Sequence, residues 1–393
     1  MKQTYLKIVK LIAVQAVILV AASNIAGFLG SLLISKLQSA EMEPSASQRR
    51  DSLAAKRYFK ESRDYKSYGV FHESLKSFTN YPYQSFIGWR LGRFSSQGVN
   101  IDRNGVRSTP ILSPVNSDEK VWILGGSTVW GYAVADNQTI PAYVQKMTSL
   151  KVVNLGEQAY TSRQSLNLLL NELVKAKLDK SLPNLIIEYS GVNDAIFPCT
   201  TDADHPFVHS REGQIKSALS ALKLESSPGG IEFSKRLYLF LFPGIVHFRS
   251  ELSSLKSKPT RSSIQVSNKR CLSPEFANRV ALNLVQSWDL MHTYLSGMNI
   301  KYYAILQPNP YFDSGYQGDI NPDYQMAVKQ IYPLVQRYAK GKSWFIDGSN
   351  WFSTYDKPAW VDHCCHTNPE ANLFIADKII KQLELKQAIN SPM

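Results

Sequence analysis

Hydrophobic positions along this chain of 393 residues fall into three regimes. Residues 11–34 form a run of 24 positions without a charged side chain, enough for a helix to cross a bilayer core of about 30 Å. Residues 36–66 are polar and charged throughout and read as a linker or juxtamembrane helix. From residue 121 onward, short apolar runs alternate with longer amphipathic stretches. The runs 121–124, 152–155, 185–189, 302–306 and 344–347 predict five strands, and 138–149, 163–180, 274–297, 322–340 and 368–387 predict helices between them. Strands this short and continuously apolar belong to a parallel sheet covered on both faces. The expected fold is therefore α/β, a doubly wound three-layer α/β/α domain with its site at the carboxyl ends of the strands.

Two further segments interrupt that rhythm. Before the first strand, residues 68–118 are rich in aromatics and contain Asn104-Gly105, a strong hairpin signal because both residues tolerate positive φ. A small β-hairpin packed on the main domain is expected there. Residues 195–273 separate the third and fourth strands and read as an insertion, a cap beside the site with the apolar stretch 237–243 as its core. The expected organisation is an N-terminal anchor over 1–40, a linker and extension over 41–118, and a catalytic domain over 119–390.

The flanks of the uncharged run set its orientation. Lys2, Lys7 and Lys10 precede it, while Lys36, Glu41 and Glu43 follow. Positive charge on the N-terminal side places that end in the cytoplasm and the rest of the chain across the membrane, as a single-pass protein with a periplasmic or extracellular domain. A cleaved signal peptide ending at Val20-Ala21-Ala22 is the alternative, but the uncharged stretch continues well beyond Ala22 and favours an uncleaved anchor.

Composition narrows the field. With 44% hydrophobic, 11% aromatic and 19% charged residues, the chain is not disordered, and four cysteines are too few for a disulfide scaffold of this size. The net charge of +12 permits an acidic partner. No nucleic-acid motif accompanies it, so a generally basic surface and no nucleic-acid partner are expected.

Four polar spots fall at strand ends or after the last strand. Ser127 follows Gly125-Gly126, a pairing that lets the backbone turn sharply and expose the hydroxyl above the sheet. Asn154-Leu155-Gly156 ends the second strand and can offer a backbone N–H. Gly191-Val192-Asn193-Asp194 ends the third and can offer a side-chain amide. Asp362-His363-Cys364-Cys365-His366 precedes the last helix and supplies an imidazole. Each is unremarkable alone; the set, in this order, marks an α/β active site.

On these four blocks the sequence resembles the SGNH/GDSL hydrolase family. The stretch from Gly125 through Pro141, the segment 100–107 and the tail 366–372 are similar to a membrane-anchored bacterial subgroup. The resemblance covers roughly residues 80–385 apart from the insertion, and it implies a flavodoxin-like sheet with acyl-ester chemistry. Two positions depart from the family pattern. Gly126 stands where Asp usually precedes the serine, and Asp362 lies four residues before His366 where three are usual. The second departure puts the acid in question, but not the base.

The chemistry expected from the residues agrees with the resemblance. His366 would take the proton of Ser127, and Asp362 would orient the imidazole. The oxyanion would be held by the N–H groups of Ser127 and Gly156 and the amide of Asn193. A Ser-His dyad with a backbone carbonyl behind the histidine is the alternative to the triad. Neighbouring ligands such as His363, Cys364, Cys365 and His366 converge poorly on one ion, so neither a metal nor a cofactor is expected. Cys364 and Cys365 could pair with each other, or one of them with Cys199, and four cysteines leave the pairing with Cys271 open. The expected activity is a serine esterase removing acyl groups, acetyl above all, from an extracytoplasmic glycan. An O-acyltransferase using the same serine and an inactive glycan- or protein-binding module are the alternatives.

Overall fold

In a computed structural model, placement is described for residues 2–41, 82–96, 98–111, 119–201, 205–213, 215–216, 219, 241–245, 270–312 and 320–385. The expected linker helix, the aromatic positions 68–81 and most of the insertion lie outside these residues. The chain divides into two compact units, one of residues 1–49 with 211–265, the other of 50–210 with 266–393.

In the first unit, helix α1 spans Lys2–Glu41. Its described apolar side chains are largely exposed, Val17, Leu19 and Leu33 each beyond 60%. Asn24 breaks the apolar run, and its polar atoms are matched: Nδ2 donates to Leu241 O at 2.7 Å, and Oδ1 accepts the N–H of Gly244 at 2.8 Å. Counted over the described residues, no helix is long and apolar enough to cross a membrane.

The second unit begins with two short antiparallel ladders, β1 (Tyr83–Gln84) with β2 (Gly88–Trp89), and β3 (Phe94–Ser95) with β4 (Asn100–Ile101). Asn104-Gly105 does form a tight turn, with Asp102 N bonded to Val106 O at 3.0 Å. The expected hairpin around it amounts to a single bridge, Ile101 with Arg107. The ladder ends because the backbone of Arg107 bridges onward to Asn154 in the main sheet.

Five strands then form a parallel sheet: β5 (Lys120–Gly125), β6 (Lys151–Gly156), β7 (Leu185–Ser190), β8 (Lys301–Leu306) and β9 (Phe345–Asp347). Their order is β6-β5-β7-β8-β9, a flavodoxin-like doubly wound arrangement. All five match the apolar runs of the sequence. The central strand β7 is buried at every position.

Alternate residues of the strands feed opposite faces. Trp122, Leu124, Ile186, Ala304 and Leu306 pack against α4 (Ser162–Leu178), α6 (Pro274–Ser296) and α7 (Pro322–Ala339). Val121, Ile123, Ile187 and Ile305 pack against α3 (Ile140–Thr148) and α8 (Pro369–Gln382). Both faces are therefore dry, and three layers result. Helix starts follow a repeated device. Thr139, Ser273, Asn321 and Asn368 cap α3, α6, α7 and α8 with their side chains, and a proline sits in the first two positions of each. The cap satisfies an orphan N–H, and proline supplies a helical φ where its missing N–H is not needed.

The insertion starts later than the sequence suggests. Helix α5 (Val192–Thr200) runs straight out of β7, and Val192, Ala195, Ile196 and Cys199 are buried in the core. Its apolar face belongs to the domain, so the inserted residues begin after Thr200. Cys199 is bonded to Cys271, which stands in a short 3₁₀ turn before α6. This cross-link ties together the two ends of the insertion. Neither Cys364 nor Cys365 pairs with Cys199.

Candidate active site

Three strands deliver the site. In register, Gly125 at the end of β5 faces Gly156 of β6 on one side and Tyr189 of β7 on the other. The chain passes from β5 outward to β6 through α3 and returns across β5 to β7 through α4 on the other face, so a crevice opens where the strand order reverses.

The nucleophile turn is shaped by two glycines. Gly125 has φ +150°, and a Cβ there would lie 2.1 Å from Tyr189 O. Only glycine fits both the angle and the space. Gly126 leads into α2 (Ser127–Trp130), and a Cβ on it would lie 2.8 Å from Nδ2 of Asn193. The absence of a side chain at Gly126 thus makes room for the amide of Asn193 beside Ser127.

Ser127 Oγ stands 2.7 Å from Nε2 of His366. On the other side of the ring, Nδ1 is hydrogen-bonded to Oδ2 of Asp362. The triad geometry is present, with the acid four positions before the base rather than three. The extra residue is absorbed in a turn wrapped around the carboxylate itself. Oδ1 of Asp362 accepts the N–H groups of Cys364 at 3.0 Å, Cys365 at 3.2 Å and His366 at 3.3 Å. Val361 N bonds to His366 O at 2.9 Å and closes the turn from outside. Burial alone would raise the pKa of Asp362. The charge and hydrogen bond of His366, with the N–H groups of Cys364 and Cys365, outweigh burial and leave it below the usual carboxylate value. Asp362 is thus held as an anion against the imidazole.

The oxyanion donors are placed less simply. Asn193, in the first turn of α5, donates one Nδ2 hydrogen to Tyr160 O at 2.8 Å. That bond fixes the amide beside Gly126 and leaves its other hydrogen for a ligand. The N–H of Ser127 opens α2 and bonds to no described atom. Gly156 does not match expectation. Its N–H donates to Oδ1 of Asn154 at 3.0 Å, and a Cβ on it would lie 2.4 Å from Trp130 N. The residue is a glycine because β6 packs directly on the backbone of α2, and its donor is spent within the fold.

Several residues at the site carry no sequence signal. Tyr132 lays its ring on His366, with centroids 4.2 Å apart. Arg107 is fully buried and binds Asp136 at 2.9 Å. It also donates to the carbonyls of Trp130, Gly131 and Val134 at 2.6–2.7 Å. Burial lowers its pKa, and Asp136 partly restores it. The segment 100–107 therefore serves as a brace under the nucleophile helix. Ala159 has φ 59°, and its N–H meets no described atom; nothing in an alanine announces such a conformation. Beneath the site, Asp194 accepts the N–H of Ser162 at 2.9 Å. Burial pushes its pKa up to about 7. Glu188 in β7 is pushed up by burial to about 8.

Among the described residues, no group of three His, Cys, Asp or Glu side chains is placed to hold a metal ion. A cleft of about 670 Å³ along the edge strand, lined by Arg93, Asn100, Arg103 and Asn154, contains none of the triad.

No protein-family profile and no curated protein matches the sequence. Solved structures do. A lipase/acylhydrolase from Enterococcus faecalis is 14% identical, with 70% of this chain and 100% of that chain covered and a TM-score of 0.37. A GDSL-like lipase from Bacteroides thetaiotaomicron is 12% identical, with 69% and 90% covered and a TM-score of 0.34. An acetyl-xylooligosaccharide esterase from Geobacillus stearmophilus is 13% identical, with 71% and 100% covered and a TM-score of 0.36. Likenesses this distant carry no weight alone, and the assignment stands on strand order, block order and the triad. The chain thus has a three-layer α/β/α fold in which Ser127, His366 and Asp362 are joined by hydrogen bonds beyond the carboxyl ends of the strands.

Proposed function

We propose that this protein is a membrane-anchored serine esterase that removes acyl groups, acetyl in the first place, from an extracytoplasmic glycan. The observation that carries the reading is the continuous hydrogen-bonded chain from Ser127 Oγ through His366 to the half-buried Asp362. Nε2 of His366 takes the hydroxyl proton as Ser127 attacks the ester carbonyl. Asp362 keeps the other ring nitrogen protonated and stabilises the imidazolium. The tetrahedral oxyanion is received by the N–H of Ser127 and the second amide hydrogen of Asn193. The N–H of Ala159 takes the place expected of Gly156: it bonds to no described atom and immediately precedes Tyr160, whose carbonyl holds Asn193 and lies 3.4 Å from a Cβ built on Gly126. His366 then returns the proton to the leaving alcohol, and water repeats the sequence on the acyl-enzyme.

Two features support the compartment. Residues 11–34 are uncharged behind three lysines, and Cys199 is joined to Cys271. Disulfides persist outside the reducing cytoplasm. Acylated envelope glycans are the esters accessible to a site tethered there.

The test is hydrolysis of p-nitrophenyl acetate, butyrate and palmitate by the full chain in detergent, with a fluorophosphonate probe for the serine. Hydrolysis that is fastest with acetate, and labelling that disappears in Ser127→Ala, is expected. Equal labelling of wild type and variant would remove the assignment. Incubation of an acetylated glycan with a labelled sugar acceptor separates hydrolysis from transfer by the product formed. Carbonate-resistant membrane association with an N-terminus at residue 1 is expected; a mature N-terminus near Ser23 would show a cleaved signal.

A further inference from the structure

Between the acid and the base of the triad stand Cys364 and Cys365, neither of which takes part in the ester chemistry. Their Sγ atoms lie 2.6 Å apart, both thiols free in the structure, a contact longer than the roughly 2.05 Å of a disulfide and short enough for the two sulfurs to join. Both residues are built into the catalytic turn through their backbones. Their N–H groups bind Asp362, as described. Cys365 O accepts the hydroxyl of Thr128, next to the nucleophile, at 3.2 Å, and Cys364 O accepts Nδ2 of Asn309 at 3.1 Å. Cys365 is buried and Cys364 is partly exposed, so an exchange partner meets Cys364 first. Burial raises the pKa of Cys365, but contact with Cys364 and the charge of His366 bring it below the ordinary thiol value. The remaining two cysteines are already bonded to each other.

We propose that Cys364 and Cys365 form a vicinal disulfide that clamps the turn from Asp362 to His366, making ester hydrolysis sensitive to the thiol–disulfide balance outside the membrane. The catalytic consequence rests on the esterase reading; the disulfide does not. In the closing step, the Cys364 thiolate attacks a sulfur of a small-molecule or protein disulfide and expels one thiol. The Cys365 thiolate then attacks Cys364 Sγ in the mixed disulfide and expels the second. One sulfur–sulfur bond is broken and one formed. The two electrons and two protons given up by the cysteines leave on the two thiols of the oxidant. Consecutive Cα atoms across a trans peptide are about 3.8 Å apart, below the range of about 4.4–6.8 Å usual for disulfides. Cys199 and Cys271, at 5.3 Å, lie within it. The vicinal ring therefore opens under milder reduction than the Cys199–Cys271 bond. Once open, the turn loses its covalent brace, and the imidazole is held by hydrogen bonds alone.

The experiment equilibrates the full chain in detergent with oxidised glutathione, then with graded dithiothreitol. Alkylation and peptide mass spectrometry follow the thiols while p-nitrophenyl acetate hydrolysis is recorded. Cys364 and Cys365 should resist alkylation in the oxidised protein and become reactive at lower dithiothreitol than Cys199 and Cys271. Over that opening, kcat should fall by about fivefold with KM little changed, the pattern of a lost positioning effect. Oxidised glutathione should restore kcat. The double variant Cys364→Ser, Cys365→Ser should show no response over the same range. Full alkylation of both cysteines after oxidised glutathione would overturn the disulfide, and an unchanged kcat across the opening would overturn the clamp. If no redox state hydrolyses an ester, the esterase reading fails separately, and the alkylation pattern still decides the pairing.

Discussion

The two halves of the proposed catalytic machinery are held by different physics. The nucleophile turn, residues 125–131, is fixed by what surrounds it: Tyr189 O and Asn193 crowd its glycines, and Arg107 grips its carbonyls from a fully buried position. The acid–base turn, residues 362–366, is shaped mainly from within, because Asp362 accepts three of the turn's own N–H groups while orienting His366, and Thr128 and Asn309 add one hydrogen bond each from outside. The first is long-range and bound up with the stability of the domain. The second is local and can fail without unfolding anything. Substitutions on the two sides should therefore separate rate from stability.

The sharpest break comes from Asp362→Asn. The amide cannot stabilise imidazolium and favours the wrong tautomer, so kcat should fall on the order of 10²–10⁴-fold with the melting temperature little changed. A loss below about fivefold would mean that the carboxylate is not orienting the base.

Arg107→Met tests the other half. It strips donors from three carbonyls and leaves the buried Asp136 without its cationic partner, with the amide of Asn100 still donating to it, a change that costs about 3–5 kcal/mol. Chemical denaturation should show this loss, with activity falling in proportion to unfolding. A stable, inactive variant would make Arg107 part of the chemistry instead.

Asn193→Ala falls between the two. Loss of one oxyanion donor should lower kcat by about 10²–10³-fold. Circular dichroism should remain that of the wild type. An unchanged rate would leave Ser127 and Ala159 as the only donors.

The smallest effect concerns the buried acids beneath the site. The folded-state pKa of Glu188, about 8, lies above the ordinary 4.5. Above pH 4.5 the unfolded chain has released this proton while the folded chain still holds it. Stability from this group is therefore complete below about pH 4.5 and is lost as pH rises towards 8. Glu188→Gln should flatten the decline in melting temperature between pH 5 and pH 8. An unchanged slope would assign the decline to other groups.

Much of the fold was legible because its causes are local. Five short apolar runs became five strands, since a strand buried on both faces needs no polar alternation. The cap-and-proline starts of α3, α6, α7 and α8 are local in the same sense, because the unsatisfied N–H groups lie within a few residues of the cap. Ser127, Asn193, Asp362 and His366 were readable as a set because strand ends in such a sheet converge on one crevice. The boundary of the insertion was misread at α5, where a helix of the domain continues without any break in composition.

The sequence alone determined the alternation that builds three layers, the uncharged N-terminal run and the residue types of the triad, all encoded in neighbouring positions. Tertiary structure alone decided which donors remain available. Gly156 looks like an oxyanion donor in sequence, yet Asn154 takes its N–H once β6 packs against α2. Ala159 looks inert, yet its backbone is turned into the left-handed region. Arg107 lies in a segment that the resemblance singles out, yet only the structure shows that it braces the helix of Ser127. A hydrogen bond depends on distance and direction between groups far apart in the chain, and packing sets those.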